Sequence, residues 1–267
     1  MHLTSRFEAP GCALAYGDRP GVEPAAVFLH GAGTDHATFA EQADALAAAG
    51  RRTVLLDLRA HGLSRPNTVP PTAAQLLDDV DRLIAHCGVV RPVLVGHSLG
   101  GNLAQELVRR APGAYSGLVV LDATWNTGPL GRGERLLLRL AAPGLALIPP
   151  RVLPGLMARM SAVTGSARAD AVRAFAQVPK REFLDIWRAA LSLVRPDPGY
   201  RTPVPLCLLR GGADRTGNIR TAMPAWAAAE GMTEHVVPGA GHLVSQDAQD
   251  AVSALLLEFL GTLDPER

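Results

Sequence analysis

The sequence predicts an α/β protein, a mostly parallel, doubly wound sheet carrying one inserted block of helices. Three observations carry that prediction. Short Val- and Leu-rich runs recur along most of the chain, separated by stretches with helical periodicity. The runs are apolar throughout instead of alternating with polar residues, which suits strands covered on both faces. The alternation then lapses once, between about residues 126 and 200, where helical segments follow one another without a convincing strand.

The strand candidates are 25–31 (AAVFLHG), 52–59 (RTVLLDLR), 92–98 (PVLVGHS), 117–123 (GLVVLDA) and 205–212 (PLCLLRGG), with a weaker one at 233–239 (TEHVVPG). Helices are expected at 38–49, 72–87, 99–110, 218–229 and 246–260. Residues 1–125 and 201–267 would therefore form the core, and 126–200 a helical lid over the carboxyl ends of the strands, where ligands bind in open α/β sheets. The lid's segments include GERLLLRLA, VLPGLMARM, ADAVRAFAQV and KREFLDIWRAAL, broken by Pro and Gly.

Composition narrows the function. With 48% hydrophobic residues in 267, the chain can bury a full core. Its formal charge of +1 gives no electrostatic footprint for nucleic acid or an anionic membrane, so a small neutral molecule is the expected partner. Cys12, Cys87 and Cys207 are odd in number and widely spaced, and are read as free thiols, with Cys207 buried in a strand. The opening MHLTSRFEAPG lacks the pattern of a signal peptide and no apolar run reaches the length of a membrane span, so a cytoplasmic protein is expected. An exposed apolar face on the lid would leave room for a homo-oligomer.

The chemistry centres on VLVGHSLGGN, residues 93–102. Gly96 and Gly100 let strand and helix backbones pass closely while Ser98 takes a strained turn between them. Its hydroxyl is then held at a helix N-terminus, where unpaired N–H groups favour developing negative charge. A serine needs a base and a group to orient it. Among eight histidines, His242 in PGAGHLV stands out, because its short Gly-flanked loop lies between the last strand and the last helix. His97 is expected to brace the turn and His30 and His61 to hydrogen-bond structurally. Asp214 and Asp122 both end strands at the required edge; Asp214 is favoured, since its turn adjoins the loop of His242 and gives the chain order Ser, Asp, His. The Ala32 and Leu99 N–H groups would form an oxyanion hole. GAGTDH fails as a dinucleotide fingerprint at His36, and no phosphate loop or metal-ligand motif occurs, so no cofactor and no metal are expected.

Taken in order, HGAG after a strand, DLRAHGLS, GHSLGG, LRGGADR and GAGH resemble the α/β-hydrolase family over nearly the whole chain, in its serine-hydrolase branch with a helical lid. The resemblance implies nucleophile Ser98, acid Asp214, base His242, and oxyanion donors Ala32 and Leu99. It further implies cleavage of a carboxylic ester, thioester or lactone through an acyl-enzyme. Serine at the elbow, where relatives that open epoxides or remove halides have aspartate, argues against those two reactions. Ala60 stands where the family usually has glycine. Acyl transfer or carbon–carbon cleavage with the same triad is the alternative, and a ligand receptor with a vestigial triad a more distant one.

Overall fold

The structure, a computed structural model, describes residues 2–263. Eight strands form one sheet in the order β1-β2-β4-β3-β5-β6-β7-β8: β1 (Ser5–Ala9), β2 (Cys12–Arg19), β3 (Val22–Leu29), β4 (Arg51–Leu56), β5 (Val93–His97), β6 (Gly117–Leu121), β7 (Leu206–Gly211) and β8 (His235–Val237). From β4 to β8 all neighbours are parallel, while β1, β2 and β4 pair antiparallel.

The central strands are apolar throughout because successive side chains feed two separate cores. On one face, Val27 and Leu29 of β3, Leu94 of β5 and Leu118 and Val120 of β6 pack with α2 (Ala73–His86) and α3 (Leu99–Arg110). On the other, Ala26 and Phe28, Val93 and Val95, and Val119 and Leu121 meet α1 (Ala40–Ala48) and α10 (Gln249–Gly261). The start of α2 is fixed by a capping box: Thr72 Oγ1 accepts from the Gln75 N–H and Gln75 Oε1 accepts from the Thr72 N–H.

The antiparallel hairpin β1–β2 lies outside the strands read from the sequence. Pro10-Gly11, with Gly11 at φ +77°, makes its turn, and Arg6 and Glu8 point outward while Phe7 and Ala9 turn in. A turn dipeptide flanked by alternation was the available signal. Two helix boundaries also differ. Residues 36–39 form a 3₁₀ turn before α1, and the expected final helix is split into α9 (Val244–Asp247) and α10 by Ala248, whose extended φ of −142° breaks the helical path.

Between β6 and β7 stand α4 (Arg132–Leu147), α5 (Leu153–Ser161), α6 (Gly165–Gln177) and α7 (Lys180–Ser192), with no strand among them. The chain enters and leaves this insertion through a neck: the Arg195 N–H donates to Asn126 O at 2.6 Å, and the Asp197 N–H to Thr127 O at 2.8 Å. Helix α8 (Ile219–Ala229) completes the layer over β7. No helix among the described residues is long and apolar enough to cross a membrane. Cys12, Cys87 and Cys207 are free; burial pushes the Cys207 thiol up to about 12.

Candidate active site

Ser98 follows β5 directly and caps α3 with φ +51° and ψ −114°, a left-handed backbone that a β-substituted residue adopts only where its surroundings force it. The forcing is visible at Gly100: a methyl there would lie 1.9 Å from Leu29 O, so α3 and β3 could not approach as they do with any other residue. The Ser98 N–H is spent on Leu121 O and the Gly100 N–H on His30 O, leaving the Leu99 N–H between them without a backbone acceptor among the described residues. In the turn after β3 the Thr34 N–H bonds Gly31 O and the Gly33 N–H bonds His61 Nε2 at 2.9 Å, which leaves the Ala32 N–H without an acceptor among the described residues. Ser98 itself is half-buried and reachable.

His242 and Asp214 come together from the loops after β8 and β7. His242 Nδ1–H donates to Asp214 Oδ2 at 3.0 Å, and both side chains are buried. Burial alone would raise the Asp214 carboxyl, but the adjacent imidazole and the Thr216 N–H, at 2.8 Å, more than offset it and hold the group below the usual carboxylate range. The His242 loop is carried to the elbow by its own backbone: His97 Nε2–H, one residue before Ser98, donates to His242 O at 2.8 Å, and the two rings lie 4.8 Å apart. With Nδ1 committed to Asp214, Nε2 is the ring nitrogen available to act. Neither it nor Ser98 Oγ hydrogen-bonds another described residue.

The remaining histidines of the rim hold turns. His30 Nδ1–H bonds Gly31 O at 2.8 Å while its Nε2 accepts from the Leu58 N–H at 2.9 Å. His61 donates from Nδ1 to Arg59 O and accepts at Nε2 from Gly33. Burial lowers the pKa of His30 and of His97 to about 3, keeping both rings neutral, and lowers that of His61 as well.

Ala60, at the usual glycine position, adopts φ +67° and is fully buried. Glycine's preference there follows from that conformation, which this chain reaches with a methyl group instead. The loop is pinned around it: Arg59 makes a two-point ion pair with Asp79, both contacts at 2.7 Å, and donates to Pro10 O at the hairpin turn.

The insertion reaches the rim through aromatic side chains. Phe175 of α6 and Phe183 of α7 sit against Gly33, where a methyl would lie 2.4 Å from the Phe175 ring. They close over the turn that carries Ala32. An open cavity of about 190 Å³ beside Trp125, Glu134, Asn218 and Ala222 has none of Ser98, Asp214 or His242 in its wall.

Two further carboxylates stand near the site, Asp247, which sequence reasoning did not single out, and Asp122, which it set second to Asp214. Asp247 accepts from the Gly241 N–H in the histidine loop and from the Val163 and Thr164 N–H groups at the α5–α6 turn. Two of its partners, Val163 and Thr164, lie more than eighty residues away, so no local pattern announces the link to the insertion. Asp122, the second candidate acid, does not hydrogen-bond His242; its Oδ1 accepts from the Gly211 N–H at 2.9 Å. One oxygen or nitrogen each of Asp122, Asp214 and His242 fall within 4.8 Å of one another, the one place among the described residues where three such groups converge. With His242 Nδ1 already donating to Asp214, the cluster has the form of an acid–base pair with a second carboxyl behind it.

A parallel-rich sheet with helices on both faces, a strained elbow after its central strand and an Asp–His pair at the same carboxyl edge define an α/β protein built for chemistry on a small molecule at that rim. Residues 26–255 match the alpha/beta hydrolase family, and the chain belongs to it. Among curated proteins it is 31% identical over 260 residues to the mouse sn-1-specific diacylglycerol lipase ABHD11, covering 87% of this chain and 81% of the relative. Among solved structures it resembles the enol-lactonase from Burkholderia xenovorans LB400, with TM-score 0.81 and 21% identity over 96% of this chain and all of the other. It likewise resembles a thermophilic esterase from Thermogutta terrifontis, with TM-score 0.77 and 23% identity over 97% and 99% of the two chains.

Proposed function

We propose that the protein is a serine hydrolase that cleaves a carboxylic ester, thioester or lactone of a small, largely apolar substrate through an acyl-enzyme. The observation that carries the reading is the buried 3.0 Å contact between His242 Nδ1 and Asp214, at the rim where Ser98 is held in a strained turn. That contact fixes the tautomer with Nε2 free to take a proton, and stabilises the imidazolium once it forms.

Ser98 Oγ attacks the carbonyl carbon as its proton passes to His242 Nε2, and the electron pair of the C=O moves onto oxygen between the Ala32 and Leu99 N–H groups. Collapse expels the alcohol or thiol, which takes the proton from His242. Water then repeats the sequence on the acyl-enzyme and releases the acid. Helices α4–α7 act as the lid, and Phe175 and Phe183 must shift from Gly33 to admit an acyl chain. The mouse relative's name makes glyceride esters the first substrates to try beside lactones.

A fluorophosphonate should label the wild type and leave Ser98→Ala unlabelled, and that variant should lose ester turnover by about 10⁴- to 10⁶-fold. Turnover that survives in Ser98→Ala removes the mechanism. Product partition with an added alcohol acceptor distinguishes hydrolysis from acyl transfer.

A further inference from the structure

Asp122 has features that a simple bracing residue does not need. It is a carboxyl with no solvent exposure, on a non-glycine backbone at φ +42°, and its Oδ2 has no hydrogen-bond partner among the described residues. Yet Asp214 and His242 stand within 4.8 Å of it. Two buried carboxyls this close cannot both ionise, so one proton must be held between them.

The partners decide which. Asp214 receives the His242 Nδ1–H and the Thr216 N–H, both of which favour its charged form. Asp122 receives only the Gly211 N–H. The other charges nearby do not alter the balance: Arg210 is spent on Glu234 at 2.9 Å, and His97 is neutral. Burial and the Asp214 charge together push the Asp122 carboxyl well above the usual carboxylate range.

We propose that Asp122 is a positioning residue for the reaction, a neutral carboxylic acid that accepts from the Gly211 N–H through one oxygen and donates a hydrogen bond to Asp214 through the other. Asp214 is then held from two sides, by His242 and by Asp122, and its carboxylate keeps the orientation that fixes the imidazole. The proton stays on Asp122 throughout; it is not passed along the triad. This inference rests on reading His242 as the general base.

Asn supplies the same neutral donor and acceptor and tolerates a left-handed backbone, whereas Gly removes the carboxyl without straining φ. Asp122→Asn should therefore keep kcat/KM within about threefold of wild type and leave the low-pH limb of its profile in place. Asp122→Gly should lower kcat about tenfold or more with KM nearly unchanged, since Asp122 does not touch substrate. An infrared difference spectrum between wild type and Asp122→Asn should show a protonated carboxylic acid band only in the wild type. A low-pH limb that moves down in Asp122→Asn, or the absence of that band, would mean an ionised Asp122 and would overturn the proposal. Unchanged kcat in Asp122→Gly would do so too. Because the infrared band is read without turnover, a failure of the Ser98 mechanism and a failure of this assignment give different results.

Discussion

At the carboxyl rim of the sheet, position is set by buried contacts to the backbone: Ser98 and Gly100 donate to the Leu121 and His30 carbonyls, the Gly33 N–H donates to the buried His61 ring, and Gly100 leaves no room for a methyl group. The helical insertion, beyond its backbone neck and the Leu243 N–H to Ser161 O bond, is held by side chains. Arg173 of α6 clasps the buried Asp35 with contacts of 2.7 and 3.0 Å, and Asp247 gathers N–H groups from the α5–α6 turn. Lys180, the chain's only lysine, caps α4 by donating to the Ala146 and Ile148 carbonyls at 2.6 Å. Helix α4 meanwhile leaves Leu136, Leu137, Leu140 and Leu147 more than half exposed. Contacts buried in a packed core have one arrangement, whereas the insertion's clasps have at least one exposed or half-buried side, Arg173 at Asp35 and Val163 at Asp247. The rim rests on contacts buried in the core, the insertion on side chains that reach it from outside.

The contrast breaks most sharply at Gly100. Gly100→Ala should lower stability by at least about 3 kcal/mol, because its methyl meets the Leu29 carbonyl at 1.9 Å and that strand cannot move without β5. Urea unfolding measures it. A loss under 1 kcal/mol would show that the elbow has slack, and the distinction between the two regions would fall.

That same glycine explains why the rim was legible in the sequence. A close approach of two backbones demands glycine, so Gly96 and Gly100 around Ser98 declare the turn, and the Gly-flanked His242 loop declares its partner. His242 Nδ1–H hydrogen-bonds Asp214, and Asp122 accepts instead from the Gly211 N–H. What sequence could not supply were contacts between distant side chains. Asp35 with Arg173, Asp247 with Thr164, and the nearness of Asp122 to Asp214 leave no periodic or local mark, since any surface pattern would accommodate them. The β1–β2 hairpin was hidden for another reason: its strands face the core with Phe7, Ala9 and Leu14 on one side only, so they lack the solid apolar runs of β3 to β7.

A second difference lies in proton chemistry. His30 and His97 are bases kept neutral by burial at the rim, with pKa lowered from 6.5 to about 3, so below 6.5 the unfolded chain binds protons that the folded chain refuses. Stability is therefore full above about 6.5 and is lost as pH falls toward 3. Between pH 7 and 5.5 the loss should be about 1 kcal/mol for each ring, read from urea midpoints. A midpoint flat across this range would mean that the rings pick up protons without disturbing the turns they brace.

The smallest expected effect tests whether the two regions are joined. Asp247 binds both the histidine loop, through the Gly241 N–H, and the insertion, through Val163 and Thr164. Asp247→Ala leaves the Val163 and Thr164 N–H groups to water and the buried Gly241 N–H without its acceptor, while the Leu243 N–H still holds Ser161 O at 2.7 Å, so stability should fall by about 1–2 kcal/mol. The loosened clasp should act on substrate entry more than on chemistry, because His242 keeps Asp214 while the α5–α6 turn is freed. Turnover of a long-chain ester should then change several-fold while that of a short activated ester stays near wild type. Equal changes for both esters would place Asp247 in the alignment of His242 itself, and the rim would no longer be separable from the insertion that covers it.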